Sequence, residues 1–412
     1  MKILITTHHR GIVGGLETYL QALIPALLNR GHQVAMVCDY PAGRDGATVD
    51  PKNGKLPVWW SGDLKPDSAA YSDLNRWGPD VVYAQKISPM GPDRMLLETY
   101  PTVLYMHGYW GTCTTGRKCH AFPNIQACTR TFGPACLLMH YPKRCGGLNP
   151  LLAFKMFRAE QVRNSLLMNY RAILVGSTHM LAEVRKHGVR SEKSHIVRCP
   201  LTGASDPSPM LSKIPTGKLL FVGRLTDLKG VDYLIRAVPR AEIRLRQKLT
   251  LTVAGDGAEL PKLQALARDQ GVDADFVGWV DASRREELMR ESDLLVVPSL
   301  WPEPFGLVGI EAGSLGIPAA GFASGGITDW LLPGETGELA PANPPTAEGL
   351  ADAIARALAD QEHYDRLRWG AWDFSKQFDL DRHVAQLEAI LHASTPISDA
   401  GMQMETFGHA RQ

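Results

Sequence analysis

The sequence predicts an α/β protein made of two doubly wound domains, each with a parallel β-sheet between layers of helices. Three observations lead to this prediction. Short apolar runs typical of buried parallel strands alternate with amphipathic helical segments in both halves of the chain. The predicted strands end in tight glycine turns, as in βαβ units. A linker rich in Gly, Ser and Pro, residues 203–216, separates the halves, and 412 residues suffice for two domains of ordinary size.

The first half of the chain, residues 1–202, opens with a β–turn–α–β unit. Its predicted elements are strand Lys2–Thr7, turn Gly11–Gly15, helix Glu17–Asn29 and strand Gln33–Cys38. The turn lacks the G-x-G-x-x-G pattern of dinucleotide-binding proteins. Gly14 and Gly15 therefore either allow a ligand to approach the N-terminus of the helix or only form a tight turn.

The remaining elements of this half continue the α/β order. They are strands Asp80–Gln85, Thr102–Met106, Ala172–Gly176 and Ile196–Cys199, and helices Asn149–Tyr170 and Ser177–His187. His107 follows the second of these strands directly, and open α/β sheets bind ligands at the carboxyl ends of their strands. His107 is therefore a candidate site residue, with an ordinary structural histidine as the alternative.

A cysteine-rich insertion, residues 110–150, interrupts the α/β order and contains five of the seven cysteines. The thiols of Cys113, Cys128, Cys136 and Cys145 are candidate ligands of a structural zinc ion. Their spacing is looser than in common zinc sites, and no C-x-x-C pair is present. Buried free thiols are the alternative, and disulfides are least expected because the protein is predicted to be cytoplasmic.

The basic residues are concentrated in one segment, although the formal net charge is only +1. Residues 105–200 contain 14 Lys and Arg against 3 Asp and Glu, whereas the first 104 residues are balanced. This excess indicates an anionic partner. The segment is expected to lack interleaved surface aromatic residues and has no recognised nucleic-acid-binding module, so we expect no nucleic acid but peripheral contact with an anionic membrane. An ordinary helix with a solvated basic face is the alternative.

The chain is expected to be cytoplasmic, at the inner face of the membrane where the basic segment meets lipid. No apolar run has the length of a membrane-spanning helix. The apolar core near the N-terminus is also too short for a secretory signal.

The second half, residues 217–375, is predicted to repeat the βα alternation. Strands are expected at Lys218–Val222, Leu249–Ala254, Asp275–Val277, Asp293–Pro298 and Pro318–Gly321. Helices are expected from Val231 and at Glu259–Gln270, Arg284–Glu291, Leu307–Leu315, Thr346–Ala359 and Gln361–Trp369. Trp372, Phe374 and Phe378 should interrupt the helical pattern. A last helix within residues 376–395 should pack back toward the first domain, and the polar tail 396–412 should be disordered.

The stretch Ser299–Pro318 (SLWPEPFGLVGIEAGSLGIP) carries the strongest functional signal. Glu303 lies in a loop after a buried strand, and Glu311 lies in the early turns of the following helix. The residues whose free N–H groups would face an anion beyond the strand end are Phe305, Gly306 and Leu307. This pattern suits a ligand with hydroxyl groups on both sides of a phosphate. An acidic loop before a solvated helix is the alternative.

Two cationic residues follow the first strand of the second half, in the segment Gly223–Gly230 (GRLTDLKG). Arg224 supplies a guanidinium and Lys229 an ammonium group, each beside a glycine at a strand end. Such a pair would clamp a diphosphate.

Taken together, these motifs make the chain similar to the retaining, nucleotide-sugar-dependent glycosyltransferases of family 4. These enzymes have the GT-B fold, in which two Rossmann-like domains face each other across a cleft. The motifs are G-R-L-x-x-x-K-G at Gly223–Gly230, V-A-G-D-G at Val253–Gly257 and E-P-F-G-L-V-G-I-E at Glu303–Glu311. The resemblance extends over about Met1–Leu391.

The resemblance implies catalytic roles for four residues. Arg224 and Lys229 would hold the donor diphosphate and stabilise charge on the leaving group. Glu303 would contact the hydroxyls of the transferred sugar, beside the N–H groups of Phe305–Leu307. His107 would lie near the reacting carbon.

For donor binding, the resemblance further implies that Glu311 accepts hydrogen bonds from the nucleotide ribose. Gly14 and Gly15 would let the first helix approach the β-phosphate. The family works without a metal, so no cofactor is expected besides the nucleotide-sugar co-substrate. The acceptor would be a saccharide or a lipid-linked saccharide in envelope or exopolysaccharide synthesis.

Several alternatives stay open at this point. Two alternatives are enzymes, namely a GT-B nucleotide-sugar epimerase and a glycogen-synthase-like polymerase. A third alternative is a protein without catalytic activity that binds a nucleotide-sugar or nucleic acid. Retention of the anomeric configuration could proceed through a covalent intermediate or through front-face attack with the leaving phosphate as base. We favour front-face attack, because Glu303, the one carboxylate offered as a nucleophile, is needed for contacts with the sugar. Asp329 stands where the family usually has a glutamate. The cysteine-rich insertion departs from the family core and is expected to shape the acceptor site.

Overall fold

A computed structural model describes residues 1–41, 47–50, 56–88, 91–201 and 213–395. Most of the expected linker and all of the expected tail, residues 396–412, lie outside the described residues. Two parallel sheets, each flanked by helices, confirm the prediction of two doubly wound domains.

The N-terminal domain has a seven-stranded sheet with strand order β3-β2-β1-β4-β5-β8-β9, and all of its pairings are parallel. Its elements are β1 Lys2–His9, α1 Gly15–Asn29, β2 Gln33–Tyr40, β3 Val58–Trp60, α2 Ala69–Trp77, β4 Val81–Ala84, α3 Pro92–Thr99, β5 Thr102–Tyr105, β6 Cys119–His120, β7 Gln126–Ala127, α4 Pro134–Met139, α5 Pro150–Leu166, β8 Ala172–Val175, α6 Thr178–Lys186 and β9 Ser194–Ile196.

The C-terminal domain has a six-stranded parallel sheet with strand order β12-β11-β10-β13-β14-β15. Its elements are β10 Lys218–Val222, α7 Val231–Leu245, β11 Thr250–Ala254, α8 Leu260–Asp269, β12 Asp273–Gly278, α9 Ala282–Glu291, β13 Leu294–Val297, α10 Leu307–Ser314, β14 Ala319–Phe322, β15 Gly337–Ala340, α11 Ala347–Leu358 and α12 Gln361–Ser375. In both sheets the strand order reverses beside the first strand, which opens a crevice at the carboxyl ends of the strands.

The last helix, α13 Leu380–Ser394, leaves the C-terminal domain and packs on the N-terminal one. Val384, Leu387 and Leu391 are fully buried in the core formed around β1 and α1. The Tyr19 hydroxyl and His383 Nε2 lie 2.9 Å apart at the same contact. The helix thus connects the C-terminal domain to the N-terminal one.

Seven strands and helices were not predicted, and α12 extends beyond its predicted end. The missed elements are β3, β6, β7, β15, α2, α3 and α4. The expected interruption at Trp372 and Phe374 is wrong, because α12 continues through both residues to Ser375. Trp369 and Trp372 pack edge to face on this helix, with ring centroids 5.3 Å apart.

The cysteine-rich insertion contains the short antiparallel pair β6–β7 and the helix α4. The Glu160 carboxylate of α5 accepts hydrogen bonds from the N–H groups of Gly111 and Cys113, the latter at 3.1 Å. Lys118 is almost fully buried, donates to the Arg130 carbonyl at 2.6 Å and forms an ion pair with Glu183. These contacts attach the insertion to the N-terminal domain.

Candidate functional site

A cluster of charged and glycine residues lies at the carboxyl end of the C-terminal sheet, where the strand order reverses. The loop Gly223–Gly230 leaves β10, and the loop from Pro298 to Gly306 leaves its neighbour β13. Because adjacent parallel strands end at one edge, the two loops meet there. The N-terminal domain contributes residues to the other wall of the cleft.

Lys229 and Glu303 form the centre of this cluster. Lys229 Nζ donates to Glu303 Oε1 at 2.5 Å, and the Ser299 hydroxyl donates to the same oxygen at 2.6 Å. Glu303 is only 5% exposed, and Lys229 also lies 5.6 Å from the centre of the Trp301 ring. A buried carboxylate held by a cation and a hydroxyl has a fixed position, from which its other oxygen can accept from a ligand hydroxyl.

Arg224 is exposed on the same loop, and its guanidinium has no carboxylate within ion-pair distance among the described residues. The turn after β11 supports this loop, since Leu225 N–H donates to the Asp256 carbonyl at 2.9 Å. A Cβ on Gly255 would lie 1.9 Å from the Gly223 carbonyl oxygen, and one on Gly257 would lie 2.2 Å from that of Leu225. The glycines of the V-A-G-D-G motif are thus required for the Arg224 loop to pack closely.

The Glu303 loop is held from both domains. A Cβ on Gly325 would lie 2.5 Å from the Glu303 carbonyl oxygen, and the Gly326 N–H donates to that oxygen at 2.7 Å. From the N-terminal domain, the Tyr109 hydroxyl donates to the Pro302 carbonyl at 2.6 Å and Ser177 donates to the Pro304 carbonyl at 2.5 Å. The position of Glu303 therefore depends on how the two domains meet.

Phe305, Gly306 and Leu307 connect Glu303 to α10. Gly306 precedes the helix with a φ of +92°, and the Phe305 carbonyl accepts from the Trp330 indole N–H at 2.7 Å. None of the three backbone N–H groups has a hydrogen-bond acceptor among the described residues. Together with the first turn of α10, they form a set of free donors at the end of β13.

Glu311 lies on α10 and borders a cavity of about 320 Å³ between the domains. The cavity is also lined by Thr18 and Gln21 of α1 and by Arg285 of α9. Burial raises the pKa of Glu311, and the Arg285 guanidinium, 3.3 Å from Oε2, opposes that shift. A carboxylate at the wall of such a cavity can accept two hydroxyl hydrogen bonds.

Gly14 and Gly15 lie at the exposed N-terminus of α1. A Cβ built on Gly15 meets nothing within 4 Å, so a side chain there would project into open space. The Gly14 N–H donates to the Glu17 carboxylate at 2.9 Å. The helix end therefore already carries one anionic cap from its own chain, a feature that the sequence analysis did not anticipate.

His107 lies at the end of β5, hydrogen-bonded through Nε2 to Gln85 Oε1 at 2.8 Å. Its ring stacks on Tyr105 with centroids 4.5 Å apart. Burial lowers the pKa of His107 to about 4, so the imidazole is neutral at neutral pH. It can exchange hydrogen bonds with a substrate but does not supply a positive charge.

This pKa predicts a specific pH dependence of stability. The folded state holds His107 neutral, whereas the unfolded chain takes up the proton near pH 6.5, so stability is lost as the pH falls from 6.5 toward about 4. We expect His107→Gln to remove about 2 kcal/mol of this acid destabilisation by pH ~5. Chemical unfolding of both proteins across this range measures the effect. The pKa of His383 is also lowered to about 4 by burial, but His383 is present in both proteins, so its contribution cancels in the difference between their stabilities. Parallel pH profiles would contradict the prediction.

A second cavity, of about 510 Å³, lies at the carboxyl ends of the N-terminal strands. Lys86, nearly buried, forms ion pairs with Asp39 at 2.5 Å and with Asp93 at 3.4 Å. Burial would raise the pKa of Asp39, but hydrogen bonds from His8, Lys86 and other donors outweigh it and hold that pKa below its usual range. Burial keeps the pKa of Asp93 raised despite Lys86.

The same cavity contains buried polar atoms that make no hydrogen bond. Gln85 Nε2 and both carboxylate oxygens of Asp93 are buried and make no hydrogen bond within the described residues. Trp110, from the start of the insertion, and Arg163 of α5 close the cavity, with the guanidinium 4.8 Å from the ring centre. Buried polar atoms without a hydrogen bond are ordinarily satisfied by water or by a polar ligand, so these atoms are available to polar groups that enter the cavity.

The insertion also reaches the C-terminal wall of the cleft. The Arg117 guanidinium donates a hydrogen bond to the Asp227 carboxylate at 2.6 Å. Asp227 lies two positions before Lys229 in the chain. Ile125 packs against the core of the C-terminal domain. These cross-domain contacts have no local sequence signal, and they show that the insertion touches both walls of the cleft.

The candidate zinc ligands gain no geometric support. Within the parts of the chain that the structure describes, no group of three or more His, Cys, Asp or Glu side chains is arranged to hold a metal ion. Cys113, Cys128, Cys136 and Cys145 are free thiols, and burial raises the pKa of Cys145 to about 11. The Cys145 sulfur lies 3.7 Å from His120 Nδ1.

Asp329, noted as a departure from the family pattern, has a role at the domain contact. Its carboxylate accepts hydrogen bonds from the Thr178 N–H at 2.7 Å and from the Thr178 hydroxyl at 2.6 Å. The shorter aspartate therefore caps α6 of the opposite domain.

Comparison with protein families gives two matches that together span most of the chain. The model described as Glycosyltransferase Family 4 matches residues 13–201. The model described as Glycosyl transferases group 1 matches residues 212–371. The boundary between the matches coincides with the boundary between the two domains.

Individual proteins with similar sequences or structures agree with these matches. The glycogen synthase of Mycobacterium tuberculosis is 26% identical over 364 residues, covering 85% of this chain and 83% of that protein. Anabaena HepE in complex with UDP-glucose superimposes with a TM-score of 0.65 at 19% identity, covering 95% of this chain and 100% of that one. WaaG, a glycosyltransferase involved in lipopolysaccharide biosynthesis, superimposes with a TM-score of 0.65 at 18% identity, covering 94% of this chain and 99% of that one.

Proposed function

The chain belongs to the glycosyltransferases of the GT-B fold, and from this premise we propose that it moves a hexose from a nucleoside-diphosphate donor to a saccharide or lipid-linked acceptor with retention of configuration. The observation that carries the proposal is the Lys229–Glu303 pair, held 2.5 Å apart beside the free N–H groups that precede α10. Arg224 adds an exposed cation on the same loop. These groups match the charges of a diphosphate joined to a sugar.

In the proposed donor complex the phosphates lie between the two loops. Arg224 and Lys229 contact the diphosphate, while Glu303 keeps its hydrogen bond to Ser299 and accepts from sugar hydroxyls. Glu311 accepts from the ribose within the cavity it shares with α1. HepE, which has a similar fold, binds UDP-glucose, and this supports a nucleotide-sugar as the donor.

In the proposed reaction the bond from the sugar C1 to the phosphate oxygen breaks as the acceptor oxygen bonds C1 from the same face. The acceptor proton passes to the departing phosphate oxygen. Glu303 is the carboxylate that the sequence offers as a nucleophile, but its position is fixed by Lys229 and Ser299, which favours sugar contact over covalent attack. Two cations and the donors of Phe305–Leu307 can balance the leaving charge, so no metal is needed.

We propose that the acceptor occupies the second cavity, next to His107. Each cation at its wall already has a carboxylate partner: Lys86 pairs with Asp39 and Asp93, and Arg163 pairs with Glu160 at 3.1 Å. Gln85 Nε2 and the Asp93 oxygens make no hydrogen bond among the described residues, although Asp93 keeps its ion pair with Lys86, and these atoms suit hydroxyl groups. These features support an uncharged, hydroxyl-rich sugar at this position. A role in envelope or exopolysaccharide synthesis fits such an acceptor.

Nucleotide binding to a Glu311→Gln variant tests the donor assignment. A panel of nucleosides, nucleoside diphosphates and nucleotide-sugars is titrated into both proteins in the presence of a chelator. One diphosphate should bind the wild type, and Glu311→Gln should weaken it about tenfold, the value of one strong ribose hydrogen bond.

The matched control is Glu286→Gln, which lines the same cavity but forms an ion pair with Arg290 on its own helix. It should bind the diphosphate like the wild type. Equal affinities for all three proteins would place the nucleotide elsewhere. Conversion of the donor sugar without any acceptor would favour an epimerase instead.

A further inference from the structure

An apolar corner projects from the N-terminal domain where α4 meets α5. It consists of Leu138, Leu148, Leu151, Leu152 and Phe154, and we refer to it as the α4–α5 patch. Their exposures are 73%, 76%, 82%, 51% and 54%. Across the described residues, few other large apolar side chains are more than half exposed, and those are scattered. Side chains of this size rarely cluster on a surface without a partner.

The arrangement of α5 shows that this exposure is not a loosely packed core. Ala153, Phe157 and Glu160 are buried and face the domain, with the Phe157 ring 5.2 Å from that of Phe132. Leu151, Phe154, Lys155 and Arg158 follow the helical period on the outer stripe, and all are exposed. The helix thus has a packed inner face and an outer face that is apolar at its N-terminal end and basic further along.

The charge around the patch has one sign. Lys143, Arg144, Lys155 and Arg158 surround it, and none of them has a carboxylate at ion-pair distance among the described residues. Only two acidic residues, Glu160 and Glu183, occur from residue 105 to residue 191. Both are buried and form ion pairs inside the domain. Residues 105–191 therefore contribute no exposed acidic side chain that would offset the basic ones.

We propose that the α4–α5 patch docks on an anionic lipid bilayer, with its leucines and Phe154 in the interface and the four cations against the headgroups. Apolar tips ringed by Lys and Arg fit the boundary between acyl chains and anionic headgroups, since long basic side chains extend to the phosphates. A second copy of the chain is a poorer occupant because two surfaces of the same positive charge repel. Among the described residues no helix is long and apolar enough to traverse a membrane, so this contact is peripheral.

The patch also orients the cleft relative to the bilayer. Arg163, which lines the second cavity, lies 12 residues after Leu151 on the same helix. At 1.5 Å per residue, α5 places the cavity about 18 Å from the patch along the helix axis. A sugar carried on a lipid headgroup could reach the cavity while its lipid stays in the membrane. Docking itself does not depend on which donor or acceptor the enzyme uses.

Flotation of the full-length protein with vesicles tests the proposal. Vesicles rich in phosphatidylglycerol are compared with vesicles of phosphatidylcholine alone. The wild type should float with the anionic vesicles and much less with the neutral ones. The triple variant Leu148→Ser, Leu151→Ser, Phe154→Ser should lose binding by roughly tenfold or more, because three exposed apolar anchors are removed.

The matched control is Ile243→Ser on α7, which is 78% exposed but lies on the C-terminal domain. It should float like the wild type. A second variant, Lys143→Gln, Lys155→Gln, Arg158→Gln, should weaken binding to anionic vesicles and reduce its dependence on salt. Five of the six positions are exposed and Lys143 is half-buried, so unchanged melting temperatures identify effects that are not due to unfolding.

Five results would each overturn the proposal. The wild type could fail to bind anionic vesicles, or bind them no better than neutral ones. The apolar triple variant could bind as well as the wild type, or Ile243→Ser could lose binding equally. Finally, the wild type could be a dimer in solution that the triple variant converts to a monomer, which would make the patch an interface between copies of the chain.

Discussion

Replacement of Lys229 by alanine is expected to reduce sugar transfer by about 100- to 1,000-fold, the usual effect of removing one charge-stabilising donor from an active site. Lys229 ends the short turn Asp227–Lys229, and its ammonium lies 2.5 Å from Glu303. From this position it can reach the leaving diphosphate. The variant loses this charge and also leaves the nearly buried Glu303 without its cation.

The loss should appear mainly in kcat, because charge on the leaving phosphate grows as the bond to the sugar breaks. Initial rates of nucleoside diphosphate release measure it. Lys262→Ala is the control, since Lys262 is 76% exposed on the neighbouring helix α8 and pairs with Glu259 one turn away. An effect of Lys229→Ala no larger than that of Lys262→Ala would remove Lys229 from the mechanism.

Glu303→Ala is expected to lower kcat/KM by about 100-fold, because the sugar hydroxyls lose an anchored acceptor. Glu303→Gln should retain part of the activity, since the amide can still bond Ser299 and a hydroxyl group. If Glu303 were a covalent nucleophile, the glutamine variant would instead be as inactive as the alanine variant.

Steady-state kinetics of both variants distinguish these two roles. Glu287→Ala is a suitable control because Glu287 is 56% exposed on α9 and pairs with Arg284. Nearly full turnover by Glu303→Ala would contradict the sugar-contact role and the nucleophile role together.

The central strands could be predicted because each is a short apolar run bounded by turn residues. β10 and β13 illustrate this, with Leu219 and Leu294 fully or almost fully buried. β15 was missed because it begins at Gly337, and an isolated glycine is typical of a turn. In the structure a Cβ at Gly337 would lie 1.9 Å from the Ala319 carbonyl oxygen, so the glycine is required by the neighbouring strand. β3 has only three residues, too few for a period to be recognised.

The geometry of the candidate site could be anticipated where its residues are close in sequence or form a motif. Glu303 and the free donors before α10 are adjacent in the chain, and the G-R-L-x-x-x-K-G motif identified Lys229. Contacts between distant segments had no such signal. The bond from Tyr109 to Pro302 joins residues 193 positions apart, and that from Ser177 to Pro304 joins residues 127 apart.

The insertion shows the same limit. Its cysteines suggested a metal, whereas its attachment depends on Lys118 and Glu160, whose partners are fixed only by the fold. The excess of basic residues was visible in the sequence. The exposure of Leu151 and Phe154 was not, because an apolar residue on a helix is ordinarily expected to be buried.

The central claim is that a nucleotide-sugar is cleaved between the Lys229 and Glu303 loops. The most direct test measures nucleoside diphosphate release from the donor identified in the nucleotide panel, for the wild type, Lys229→Ala and Glu303→Ala side by side in chelator. We predict release by the wild type and a loss of about 100-fold or more in both variants. Equal release by all three proteins, or none by the wild type with any nucleotide-sugar, would contradict the claim.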